Sequence, residues 1–162
     1  MERPTDTNAG LLQQAAGVFD GERDPWANAA NTAALVFEQL PDLNWAGFYF
    51  LRGGELVVGP FQGRAACVRI PLGSGVCGTA AGRRQTVIVA DVHAFPGHIA
   101  CDAASNSEIV VPLLSGERLI GVLDLDSPSL GRFGPADAAL LEALAKSLVA
   151  ACDWRLAGID GF

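Results

Sequence analysis

Apolar positions along this chain of 162 residues change period twice. Near the start, "LLQQAAGVF" (11–19) has the spacing of a short helix. Asp24 and Pro25 then read as an N-cap followed by proline at the first helical position. Trp26, Ala30, Ala33, Phe37 and Leu40 recur at helical intervals from there to the stop at Pro41. The middle of the chain is β-rich. "NWAGFYFL" (44–51) and "ELVVGPF" (55–61) are joined by Arg52-Gly53-Gly54, a hairpin signal. "ACVRIPL" (66–72), "TVIVADV" (86–92), "SEIVVPLL" (107–114) and "IGVLDLD" (120–126) predict further strands, the last two linked by "GERL" (116–119). Between them the glycine-bounded "GSGVCGTAAG" (73–82) predicts one or two helical turns. Helical spacing returns after Gly134-Pro135, where Leu141, Leu144, Leu148 and Cys152 share one face. Helices, then antiparallel strands, then a helix make an α+β domain with helices packed on one face of the sheet. The segment 91–106 is a long loop, the kind that often carries binding residues.

Composition narrows this picture. The length and the absence of repeats or linkers suit one domain over 1–162, large enough to bury a core. Half the residues are apolar and 18% are charged, as in a compact globular protein. A net charge of −7 argues against nucleic acid and anionic membrane surfaces as partners. There is no run of eighteen apolar residues, and "MERPTDTNAG" does not read as a signal peptide, so a cytoplasmic location is expected. Cysteines at 67, 77, 101 and 152 form no C-x-x-C pair. In a reducing compartment they are left for packing, metal binding or redox chemistry.

The cysteines differ in setting. Cys152 lies on the apolar face of the last helix and reads as core. Cys101 sits in the turn-rich loop, where no periodicity claims it, and His98 and His93 precede it as cations that would lower its pKa. Cys77 stands between glycines that would keep its segment mobile, and Cys67 leads into that segment. In "VLDLD" the strand period puts Asp124 and Asp126 on one face, and Glu108 joins them if the two strands are neighbours. Converging carboxylates hold a proton or bind a cation. Trp45 and Tyr49 share a face of the first strand, suited to an ammonium group or a thioether.

Taken together, "NWAGFYF", "GPFQGRAACVRIPLGSGVCGTAA", "VADVHAFPGHIACDAASNSEIVVPL" and "GVLDLDSP" resemble the free methionine-(R)-sulfoxide reductases, which are GAF-domain enzymes. The likeness runs nearly unbroken from Asn44 to Pro128. It implies a GAF fold, with terminal helices on one face of the sheet and active-site loops on the other. It also implies reduction of free L-methionine-(R)-sulfoxide, part of a cell's defence against oxidative stress. By this resemblance Cys101 is the nucleophile and Cys67 and Cys77 are the resolving candidates. Glu108, Asp124, Asp126, Trp45 and Tyr49 contact substrate, with Glu108 and Asp126 near the sulfoxide oxygen and Asp124 near the ammonium. A sulfenic acid on Cys101 would condense to a disulfide that thioredoxin reopens, with no cofactor or metal required. The epimer preference and the reductant rest on the resemblance alone, and a homodimer is compatible with the fold.

Two other readings stand beside this one. A GAF module could bind a small molecule and sense redox state without turnover, though a two-state thiol sensor needs only two of these cysteines. Cys67, Cys77 and Cys101 with His93 or His98 could ligate zinc, though the set lacks a close ligand pair. A cyclic nucleotide is excluded on charge, because Glu108, Asp124 and Asp126 would repel its phosphate.

Overall fold

The computed structural model describes residues 4–99, 101 and 103–162, with side chains from Asn8 onward. Two helices open the chain, α1 (Pro4–Phe19) and α2 (Pro25–Gln39). The Asp24 carboxylate accepts the N–H groups of Trp26 and Ala27 at 2.8 and 3.0 Å and starts α2, as expected of that residue. The buried stripe of α2 runs through Pro25, Asn28, Ala29, Thr32, Ala33 and Val36, while Ala30 is exposed and Trp26 and Phe37 are half-buried at its margins. Polar residues enter that stripe with donors that find local acceptors. Thr32 Oγ1 donates to the Asn28 carbonyl at 2.7 Å, and Asn28 Nδ2 donates to the Glu22 carbonyl at 3.0 Å.

Six strands follow: β1 (Trp45–Arg52), β2 (Glu55–Gly63), β3 (Arg69–Pro71), β4 (Val87–Val89), β5 (Ser107–Ser115) and β6 (Arg118–Ser127). Helix α3 (Gly75–Arg83) lies between β3 and β4, and α4 (Pro135–Ala151) follows β6. The sheet order is β3-β2-β1-β6-β5-β4, antiparallel at every junction. The strand expected over 66–72 shrinks to β3, with Cys67 in the approach to it. That expected over 86–92 shrinks to β4, because the Asp91 carboxylate accepts the His93 N–H at 3.0 Å and starts a turn instead. The glycine-bounded stretch is a helix of nine residues.

Strand alternation sorts the sheet into two apolar faces. Phe48, Phe50, Ile109, Val111, Leu123 and Leu125 pack under α1, α2 and α4. Trp45, Tyr49, Val110 and Val122 face the other way, toward α3 and the loops. The expected division into a helix face and a site face is therefore present. Cys152 is 5% exposed and ends α4 rather than continuing it, with its sulfur taking a 3.5 Å contact from Asn28 Nδ2. Among the described residues no helix is long and apolar enough to cross a membrane.

Candidate active site

The register of the central strands assembles the acids. Glu108 on β5 pairs across the ladder with Asp126 on β6, and Asp126 pairs on its other side with Trp45 of β1. Asp124, two residues along β6, points to the same face and lies opposite Val110. The condition that these strands be neighbours is met, and the three carboxylates line one cavity with Trp45, Tyr49, Cys77, His98 and Cys101. Glu108 and Asp124 are 6% and 4% exposed, so their charges are withdrawn from water.

Burial is the main force on both acids. It pushes Glu108 well above the usual carboxylate range, reinforced by the negative charges of Asp124 and Asp126. Asp124 is raised to about 6 by burial, and hydrogen bonds from Glu108 and Cys77 hold it back. Of the two, Glu108 is the acid driven further toward its protonated form, hydrogen-bonded to Asp124. The Cys77 thiol donates to Glu108 Oε1 at 3.8 Å. Burial and the surrounding carboxylates drive its pKa well up, so it stays a thiol. Tyr49 stays a phenol for the same reasons, burial first and Asp124 next.

An aromatic wall closes one side. The Trp45 and Tyr49 rings stack with centroids 5.7 Å apart, and Phe61 stacks on the other side of Trp45 at 5.2 Å. The indole N–H donates to the Arg64 carbonyl at 3.1 Å, which fixes the ring. Residue 47 must be glycine for this layering: a Cβ there would sit 2.3 Å from Phe61 Cβ.

The start of α3 forms the opposite rim. Ser74, Gly75, Val76 and Cys77 line the cavity, and the Ser74 side chain makes no capping bond to the first amides of the helix. Cys77 is held inside this helix and buried, contrary to the expectation of a mobile segment; the glycines serve close packing, since a Cβ on Gly78 would meet the Pro71 carbonyl at 2.4 Å.

Cys101 and Cys67 are joined as a disulfide with their Cα atoms 5.4 Å apart. Both are half-buried, and Cys101 lines the cavity. Burial, with His93 nearby, lowers the pKa of His98, which weakens it as the cation expected beside Cys101, and His93 Nε2 is hydrogen-bonded to Asn106 Oδ1 at 3.0 Å.

Among the described residues, the Cys77 sulfur and one oxygen each of Glu108 and Asp124 lie within 4.8 Å of one another, a set with the donor types for a divalent cation. It is a different set from the three cysteines and a histidine considered for zinc, two of which are spent in the disulfide. Sequence reasoning passed over Phe61, the α3 amides and Ser105, which lines the cavity and accepts from Asn44 Nδ2 at 3.0 Å. Phe61 had a signal in its place on the strand after the hairpin. Backbone donors carry none.

Comparison with known proteins places this geometry. A family model described as a GAF domain matches residues 27–153. Free methionine-R-sulfoxide reductase of Escherichia coli is 54% identical over 144 residues, covering 89% of this chain and 87% of that one. The protein of the same name in Saccharomyces cerevisiae is 43% identical over 153 residues, covering 90% and 85%. The crystal structure of free methionine-R-sulfoxide reductase from Neisseria meningitidis in complex with its substrate superposes with a TM-score of 0.89 at 47% identity, covering 93% of this chain and 91% of that one.

Proposed function

Because the chain belongs to the GAF-domain family, and within it to the free methionine-R-sulfoxide reductases, we propose that it reduces free L-methionine-(R)-sulfoxide to L-methionine through Cys101. The observation that carries this reading is the convergence of a disulfide-forming cysteine, buried acids and an aromatic wall on one cavity.

The Cys101 thiolate attacks the sulfoxide sulfur. Glu108, its pKa raised well above the usual carboxylate range by burial, gives its proton to the sulfoxide oxygen, with Asp126 across the ladder assisting. In the resulting adduct the hydroxyl passes from the methionine sulfur to the Cys101 sulfur as the new Cys–Met S–S bond and the S–O bond break, so methionine departs and Cys101 is left as a sulfenic acid. The resolving thiol condenses with it, forming a disulfide and releasing water. Two features favour Cys67 over Cys77 for that step: Cys67 reaches Cys101, while Cys77 is fixed in α3 and held as a thiol against Glu108. An external dithiol such as thioredoxin returns both cysteines to thiols. The electrons come from cysteines throughout, so the cycle needs no metal or organic cofactor. It does need a reducing compartment, which suits a cytoplasmic location.

Selection for the free amino acid follows from the remaining groups. Asp124 is the anion that pairs with the α-ammonium, and the uncapped amides of α3 suit the α-carboxylate. The side chain lies along Trp45 and Tyr49. A residue within a polypeptide offers neither terminal charge.

The test is steady-state reduction of each free epimer with dithiothreitol, wild type beside Cys101→Ser. Consumption of the R form by wild type only, and of neither by Cys101→Ser, supports the reading. A folded, reduced wild type that consumes neither epimer sinks it.

A further inference from the structure

We propose that the face around Cys67, between Arg64 and Leu72, is the docking surface for a protein dithiol, which opens the disulfide by attacking the Cys67 sulfur. This deepens the proposed function and rests on its thiol–disulfide cycle.

The two sulfurs present different surroundings. Cys101 lines the cavity with Glu108, Asp124 and Asp126, so a thiolate entering on that side meets carboxylates. Cys67 does not line the cavity. The chain through it, "GRAACVRIPL" (63–72), holds Arg64 and Arg69, the latter ion-paired with Glu55, and no acid of its own, in a protein of net charge −7. An attacking thiolate, and an acidic rim around it, are drawn to this side by elementary Coulomb steering.

The same stretch is apolar where it meets solvent. Val68, next to Cys67, is 59% exposed and Leu72 is 41% exposed. They flank β3, which pairs with β2 alone and forms an edge of the sheet. The backbone beneath is held: Val58 N–H donates to the Val68 carbonyl at 2.9 Å, and Arg69 is braced by Glu55 at 2.8 Å. Two exposed aliphatic side chains beside an arginine, on rigid backbone, offer an apolar patch for a partner to cover. The partner that fits carries a nucleophilic cysteine on a flat apolar surface with acidic surroundings.

The exchange balances. The partner's thiolate forms a mixed disulfide with Cys67 as the Cys67–Cys101 bond breaks, and Cys101 leaves as a thiolate into the cavity. The partner's second thiol then attacks its own mixed disulfide and releases Cys67, so the dithiol supplies both electrons.

Thioredoxin and dithiothreitol serve as probes on the full chain, with the bridge preformed by a chemical oxidant and its opening followed as thiol release. No sulfoxide is present, so failure of the reductase reading leaves this measurement standing. Val68→Glu and Leu72→Glu, exposed changes that leave the fold intact by melting temperature, are expected to raise the half-saturating thioredoxin concentration by about tenfold, the loss of one interface anchor. Dithiothreitol, which needs no surface, should open the variants as fast as wild type. A thioredoxin lacking its second cysteine should be trapped on Cys67. Unchanged thioredoxin dependence in both variants, equal slowing with both reductants, or trapping on Cys101 would overturn the proposal.

Discussion

Glu108 and Asp126 face each other directly across the β5–β6 ladder, in a region where strands ordinarily bury aliphatic pairs. Like charges opposite one another destabilise a sheet. Burial raises the pKa of Glu108 well above the usual carboxylate range, which favours a proton between the pair over two charges.

Glu108→Gln should therefore lower kcat by about 10²–10⁴-fold, the range for a lost general acid. The acid acts only while protonated, so wild-type activity falls as pH rises through its raised pKa. That alkaline limb should be missing from the residual activity of Glu108→Gln. A pH profile of kcat for both proteins checks this.

Asp124 makes a stability prediction with a definite sign. Burial raises its folded-state pKa from 3.8 to about 6. Its favourable contribution is fully present below the unfolded value and is lost as pH rises through 6. The shift of about two units corresponds to roughly 3 kcal/mol between those limits. Asp124→Asn removes this dependence, so it should gain stability relative to wild type as pH goes from 4 to 8, measured by urea unfolding at each pH. The same variant loses the partner of the substrate ammonium, and KM should rise by roughly ten- to a hundredfold, the worth of a hydrogen bond to a charge.

The cysteines separate by role. Cys77→Ser should still close a bridge between Cys67 and Cys101 after one turnover, because Cys77 takes no part in it. Cys67→Ser should instead accumulate a sulfenic acid that a dimedone-type probe captures. Mass spectrometry after a single sulfoxide addition distinguishes the two.

Gly47→Ala should destabilise the fold by about 1–3 kcal/mol, the cost of overpacking a tight site. Its new methyl would press on Phe61 and displace the stack behind Trp45. Chemical denaturation and the tryptophan emission maximum report the two effects.

Exhaustive chelation should leave kcat/KM unchanged, since no step runs through a metal. Loss of activity that zinc restores would bring the Cys77, Glu108 and Asp124 trio forward as ligands.

Period alone was enough to read β1, β2, β5 and β6 to within a few residues, because each alternates between two apolar faces. It also placed Asp124 with Asp126 and Trp45 with Tyr49. Register lies beyond period: that Glu108 meets Asp126 depends on how β5 pairs with β6, a long-range choice. The Cys67–Cys101 pairing spans 34 residues and leaves no local trace. The α2 stripe was misplaced because Asn28 and Thr32 look exposed by polarity, yet the Thr32 hydroxyl bonds back within the helix and the Asn28 amide donates to its lead-in. Residue type alone did not show that burial and His93 would lower the pKa of His98.

The most direct measurement of the central claim is a single turnover. Fully reduced enzyme, stripped of external thiol, receives one equivalent of free methionine-(R)-sulfoxide, and methionine and remaining protein thiols are counted. The account predicts one methionine formed for two thiols lost, with the bridge mapped to Cys67 and Cys101. Methionine formed with Cys101 still free, or no methionine from a folded and fully reduced enzyme, would contradict it.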